Sequence, residues 1–68
     1  MSAAEHWYQI AAENGDTGAM RDLWRFMEHS EDPSDRRRGL FWLKRSAALG
    51  DQASLAELER VRKKGQGD

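Results

Sequence analysis

Cysteine is absent from this 68-residue chain, so neither a disulfide framework nor a thiolate metal site is available to staple it, and packing must hold it alone. Its single proline, Pro33, marks one stop and restart of the backbone. No segment approaches the ~20 consecutive apolar residues that span a bilayer, and the first residues, MSAAEHWYQ, combine neither a basic n-region nor an apolar run. The chain is therefore expected to be soluble and cytoplasmic, with no membrane partner. Neither sign of charge is in excess: 11 basic and 12 acidic residues leave a net charge of -1, which provides no bulk attraction to nucleic acid. A chain of this length makes one small domain that buries only about 60% of its unfolded surface, so modest stability is expected.

What the chain does have is a repeat. Sliding the sequence on itself by 35 residues superposes Trp7 on Trp42, Ala12 on Ala47, Gly15 on Gly50, Asp16 on Asp51, Leu23 on Leu58 and Arg25 on Arg60. Met20 with Leu55, Asp22 with Glu57 and Ala19 with Ser54 are near matches. A fixed period in this range signals stacked supersecondary units, which mostly bind other proteins.

The local chemistry predicts where each unit folds. Ser2 and Glu5 have capping-box spacing, so a first helix is expected to start near Ala3. Ala4, Trp7, Tyr8, Ala11 and Ala12 form its packing stripe at a period of about 3.6 residues. Asn14-Gly15-Asp16 ends that helix and starts the next, because glycine accepts the left-handed conformation and aspartate caps free N–H groups. The second helix is expected from about Thr17 to Glu28, packing through Ala19, Met20, Leu23, Phe26 and Met27, with Trp24 at the edge. Asp32-Pro33 restarts the chain, and Ser34 and Asp35 suit a helix N-terminus. The third helix is expected to run to about Leu49 with Gly39, Trp42, Leu43, Ser46 and Ala47 on its packing face. Gly50-Asp51 repeats the turn, and a fourth helix from about Gln52 to Lys64 is expected to pack through Leu55, Leu58 and Val61. The fold class is all-α: four helices as two stacked antiparallel hairpins, an α/α solenoid-like repeat in one domain over 1–68. Unit one covers about 3–29, unit two about 34–64, and a frayed tail 65–68.

At these residues the chain resembles the Sel-one-like repeat family, a branch of the tetratricopeptide-like helical repeats. Ala4, Trp7, Tyr8, Ala11, Ala12, Gly15, Asp16, Ala19 and Leu23 carry the resemblance in the first copy. Trp42, Ala47, Gly50, Asp51 and Leu58 carry it in the second, with Gly39, Leu43, Ser46 and Ser54 as substitutions, and Asp35 matches an aspartate frequent in the family's linker. Where the family usually has a small residue after the second helix's leucine, this chain has Trp24 and Glu59, which argues against close helix approach there. The resemblance implies a scaffold or adaptor that binds protein, with no catalytic residues and no cofactor.

Other site chemistries are weakly represented. His6 and His29 lie far apart in sequence with no nucleophile or second base beside either. Glu31, Asp32 and Asp35 read as helix capping rather than cation binding. Arg36-Arg37-Arg38 is the only run of three arginines, a solvated face in the simplest reading and a grip for an acidic protein or for phosphates in two others. Trp7 and Trp42 are expected in the core. Phe41 stands where the first copy has His6, so it either points off the packing stripe, forming an outer ridge with Lys44 and Ala48, or packs under the first helix or the linker. Trp24 divides likewise between an outer position and a gap left by substituted small residues. The candidate protein-binding residues are Phe41, Arg37, Lys44 and Trp24.

The sequence thus points to a non-enzymatic protein-interaction module. A stand-alone inhibitor or immunity protein of phage or mobile-element type, and a nucleic-acid-associated protein using Arg36–Arg38, are the alternatives. Two units are fewer than repeat arrays usually need, which predicts self-association, most simply as a two-fold homodimer.

Overall fold

The structure, a computed structural model, describes residues 3–66. Four helices follow one another: α1 (Ala3–Glu13), α2 (Thr17–Met27), α3 (Pro33–Ala48) and α4 (Gln52–Gln66). Each packs on the next, with the α2–α3 interface the most extensive. Ser2 of the expected capping box lies outside the described residues. The fourth helix continues through residues 65 and 66, which the sequence reading assigned to the tail.

The two hairpin turns are built alike. Gly15 and Gly50 have φ of +94° and +96°, a conformation that costs glycine nothing and other residues about 1–2 kcal/mol. In the first turn the Gly15 N–H donates to Ala12 O (3.0 Å) and the Asp16 N–H to Ala11 O (3.1 Å). In the second, the Gly50 N–H donates to Ala47 O (3.0 Å) and the Asp51 N–H to Ser46 O (3.2 Å). These are Schellman closures, in which the last free carbonyls of a helix are satisfied by the residues that leave it. Each aspartate then caps the following helix: Asp16 Oδ1 accepts from the Ala19 N–H at 3.1 Å and Asp51 Oδ2 from the Ser54 N–H at 2.9 Å. The hairpins are thus near copies.

The link between them is a different device. Asp32 caps α3 by accepting from the Ser34 N–H at 2.9 Å, with Pro33 in the first turn, where its missing N–H costs nothing. The Ser30 hydroxyl donates to Asp35 Oδ2 (3.0 Å) and accepts from the Asp32 N–H (3.2 Å), so the connection is tied to the helix it starts. Of the acidic residues here, Asp32 is the cap and Asp35 ties the connection to the first turn.

One hydrophobic cluster holds the chain: Ala12, Ala19, Met20, Leu23, Met27 and Trp42, with Tyr8 and Ala11 packed against it. Every member comes from α1, α2 or α3. The expected packing of three large side chains is overturned here. Trp7 is 68% exposed while Trp42 is 8% exposed, because α2 covers α3 on the side that α1 leaves uncovered among the described residues. Leu55 is 41% exposed while its counterpart Met20 is fully buried, because α3 covers α2 on the side that α4 leaves uncovered among the described residues. Phe26 is also largely exposed, although Tyr8 lies against it with ring centroids 5.5 Å apart.

Candidate protein-binding surface

Helix α3 buries Gly39, Trp42, Leu43, Ser46 and Ala47, so helical geometry turns residues 37, 41, 44, 45 and 48 to the opposite side. Phe41 is 54% exposed there, with Arg37, Lys44, Arg45 and Ala48 all exposed around it. Its ring stands edge-on to Trp42, centroids 5.2 Å apart at 76°, an arrangement that limits the motion of an otherwise solvent-facing side chain. Three of the four residues picked from sequence therefore share one face.

Trp24 is placed differently. Its indole is 7% exposed and packs on α3 at Gly39, where an added Cβ would lie 2.8 Å from Met27 Cβ and 3.2 Å from Trp24 Cε3. The bulk that the repeat pattern argued against in α2 is accommodated by a missing side chain in α3, so the helices do approach closely. Trp24 meets Arg37 only across a shallow hollow of about 270 Å³ that Pro33, Arg36 and Leu40 complete. Its other edge lines an open groove of about 800 Å³ between the C-terminal ends of α2 and α4, with Val61, Arg60 and Glu57. The buried indole N–H makes no hydrogen bond. Arg60 donates to Glu57 Oε2 at 2.7 Å and is the main reason the Glu57 carboxyl sits below its ordinary pKa; the indole N–H adds to that effect from outside bonding geometry.

The three consecutive arginines do not form one stripe. The Arg36 guanidinium donates back to the Ser30 carbonyl and Arg37 reaches the Ser34 hydroxyl at 3.5 Å, so two of them partly serve the start of their own helix.

A polar cluster that sequence reading missed lies between α3 and α4 and reaches α2 at Thr17 and Arg21. Ser46 and Ser54 are fully buried, their hydroxyls 2.6 Å apart, and Ser54 Oγ donates to Asp51 Oδ2 at 2.6 Å. Ser46 Oγ also lies 3.3 Å from the Thr17 carbonyl. Each hydroxyl has one proton, so three contacts cannot all be donated at once. The arrangement ending on the charge, Ser46 to Ser54 to Asp51, uses both protons on the two short contacts. Arg21 Nε sits 3.2 Å from Asp51 Oδ2 but its N–H is not aimed at that oxygen, so the pair is a charge contact and not a hydrogen bond. The Asp51 carboxyl is held below its ordinary pKa, first by the Ser54 hydroxyl, then by the Ser54 amide, Arg21 and Ser46, against partial burial. The signal in the sequence was the pairing of Ser46 with Ala11 and Ser54 with Ala19: small residues where helices cross.

A serine feeding a carboxylate is also a fragment of catalytic chemistry, but both hydroxyls are shut away from solvent, and the contacts of His6 and His29 are with other residues. His6 stands on α1 edge-on to Trp7 at 6.0 Å, and exposed His29 lies 3.5 Å from Glu28 Oε1. Among the described residues no group of three or more His, Cys, Asp or Glu is placed to hold a metal, and no helix is long and apolar enough to cross a membrane. No protein-family model matches the chain, and no curated protein or solved structure matches it either.

Proposed function

We propose that this chain is a small non-enzymatic protein-binding module of the Sel-one-like repeat type, and that it engages another protein through the outer face of α3. The observation that carries the reading is Phe41, a half-exposed aromatic ring braced by Trp42 and surrounded by Arg37, Lys44 and Arg45. Aromatic anchors beside arginine are what protein interfaces favour, and a ring whose rotamer is already restricted loses little entropy on docking. The cationic surround suits an acidic patch on the partner. Trp24 contributes indirectly, by fixing the α2–α3 packing beneath that face. The burial of both serine hydroxyls supports a function without catalysis.

Affinity capture from the native host with wild-type chain and with Phe41→Ala tests the reading. A protein retained by the wild type should bind Phe41→Ala about 30-fold more weakly, the equivalent of roughly 2 kcal/mol, with unchanged helical content. Recovery of the same proteins at the same affinity by both would remove the α3 face from consideration.

A further inference from the structure

The two ends of this molecule carry the two halves of an interface that it already makes once in its interior. Inside the chain, α2 and α3 meet with Trp42 in the same cluster as Met20, Leu23 and Met27. Shifting by one repeat, the α3 side of that interface is found again on α1, where Trp7 stands exposed, and the α2 side on α4, where Leu55 is exposed and Leu58 half-buried. The hairpins bearing these faces have matching turns, so the operation that carries unit one onto unit two, applied once more, lays a second molecule's α1 against this molecule's α4.

Charge agrees with that pairing. Helix α1 has two glutamates and no lysine or arginine, whereas α4 sets four lysines and arginines, all from residue 60 onward, against two glutamates. In the α2–α3 arrangement the C-terminal end of the earlier helix meets the N-terminal end of the later one, so Arg62, counterpart of Met27, falls beside the turn containing Glu5. The one bulky internal contact is also relieved: Trp24 against Gly39 becomes Glu59 against Ala4, so nothing larger than the interior already accepts is forced together.

We propose that this chain associates with further copies of itself head to tail, Trp7 of one molecule seating beside Leu55 and Leu58 of the next as Trp42 seats within the chain. This proposal is independent of the α3 face. Such an interface joins two different surfaces and is not closed by two-fold symmetry, so it adds molecules in a row instead of stopping at two.

Sedimentation velocity on the full chain, with Trp7→Glu and Leu55→Glu, decides it. Both residues are exposed, so circular dichroism should match the wild type; Trp7→Ser and Leu55→Ser are the substitutes if either charged variant loses helix. The wild type should grow in mass with concentration up to about 1 mM, a range that detects even weak association. Each variant alone should be a monomer, having lost one end. An equimolar mixture of the two should form a dimer and grow no further, because each supplies the end the other lacks. A monomeric wild type, a wild type that stops at two, or a mixture that stays monomeric would each overturn the proposal.

Discussion

Trp7 and Trp42 occupy one repeat position, follow one another by 35 residues, and differ in almost everything that matters energetically. Trp42 enters the cluster built by α2; Trp7 stands in solvent with only the His6 ring at its edge. The side chain is the same and its helical environment nearly so. What differs is whether another helix stands on that side. Met20 and Leu55 repeat the lesson at the other end of the hairpin. In a repeat array, sequence position defines which direction a residue faces, and the neighbour defines what that direction is worth.

The sharpest way to break the comparison is to truncate both tryptophans separately. Trp42→Ala should cost about 3–5 kcal/mol, comparable to the whole stability of a domain this small, so the variant should be largely unfolded by circular dichroism at 25 °C. Trp7→Ala, measured by urea denaturation at low micromolar concentration, should stay within about 0.5 kcal/mol of wild type. Equal losses at the two sites would mean that α1 is covered after all.

A second experiment sets Gly39 against its counterpart Ala4. Gly39→Ala gains about 1 kcal/mol of helix propensity, but its Cβ would lie 2.8 Å from Met27 Cβ, and overpacking of that kind costs about 1–3 kcal/mol. A net loss of roughly 1 kcal/mol is expected. In a Met27→Gly background, which removes that carbon, the same change should cost less or become stabilising; an identical cost in both backgrounds would locate the crowding elsewhere, first at Trp24 Cε3, 3.2 Å away.

Smaller effects are expected from the serines. Ser46→Ala or Ser54→Ala alone leaves one buried hydroxyl short of its partner, at about 1 kcal/mol. Replacing both restores the alanine pair of the first unit, Ala11 and Ala19, and should cost less than the two single changes added together. Strict additivity in denaturation midpoints would show that the hydroxyls do not act as a unit.

The smallest effect concerns acid. Because the folded Asp51 carboxyl sits below its ordinary value, it contributes stability that is fully present above the unfolded pKa of about 3.9 and is lost as pH falls through the lower folded value. Thermal midpoints followed downward from pH 6 should therefore fall more steeply below about pH 4 in the wild type than in Asp51→Asn. Parallel curves would remove Asp51 from the acid response.

All three interruptions of the helices were legible from glycine, aspartate and proline alone, because capping is a local matter settled within five or six residues. The direction of Phe41 was narrowed to two readings by helical period and the comparison with His6, and its exposure was settled only by the packing around it. The errors share a physical origin. Trp7, Leu55 and Phe26 were assigned to the core from their own stripes, yet burial depends on a second element that no local pattern describes. Trp24 sits at the edge of its own stripe and could equally fill a gap left by small residues; which one holds depends on α3, where Gly39, fifteen residues away, leaves the room. The serine pair escaped notice because a small polar residue at a crossing is as easily solvated as buried until its partner is known.

That the hydrophobic cluster draws nothing from α4 bears on how this molecule comes apart. Removing the last helix would expose Leu43 and the serine pair while leaving Met20, Leu23 and Trp42 enclosed by the first three helices. Partial opening therefore has a natural starting point, and it is directional: amide hydrogens of α4 should exchange with solvent through an excursion that leaves α2 protected, so that native-state exchange divides the chain at Gly50 before global unfolding reaches the remainder.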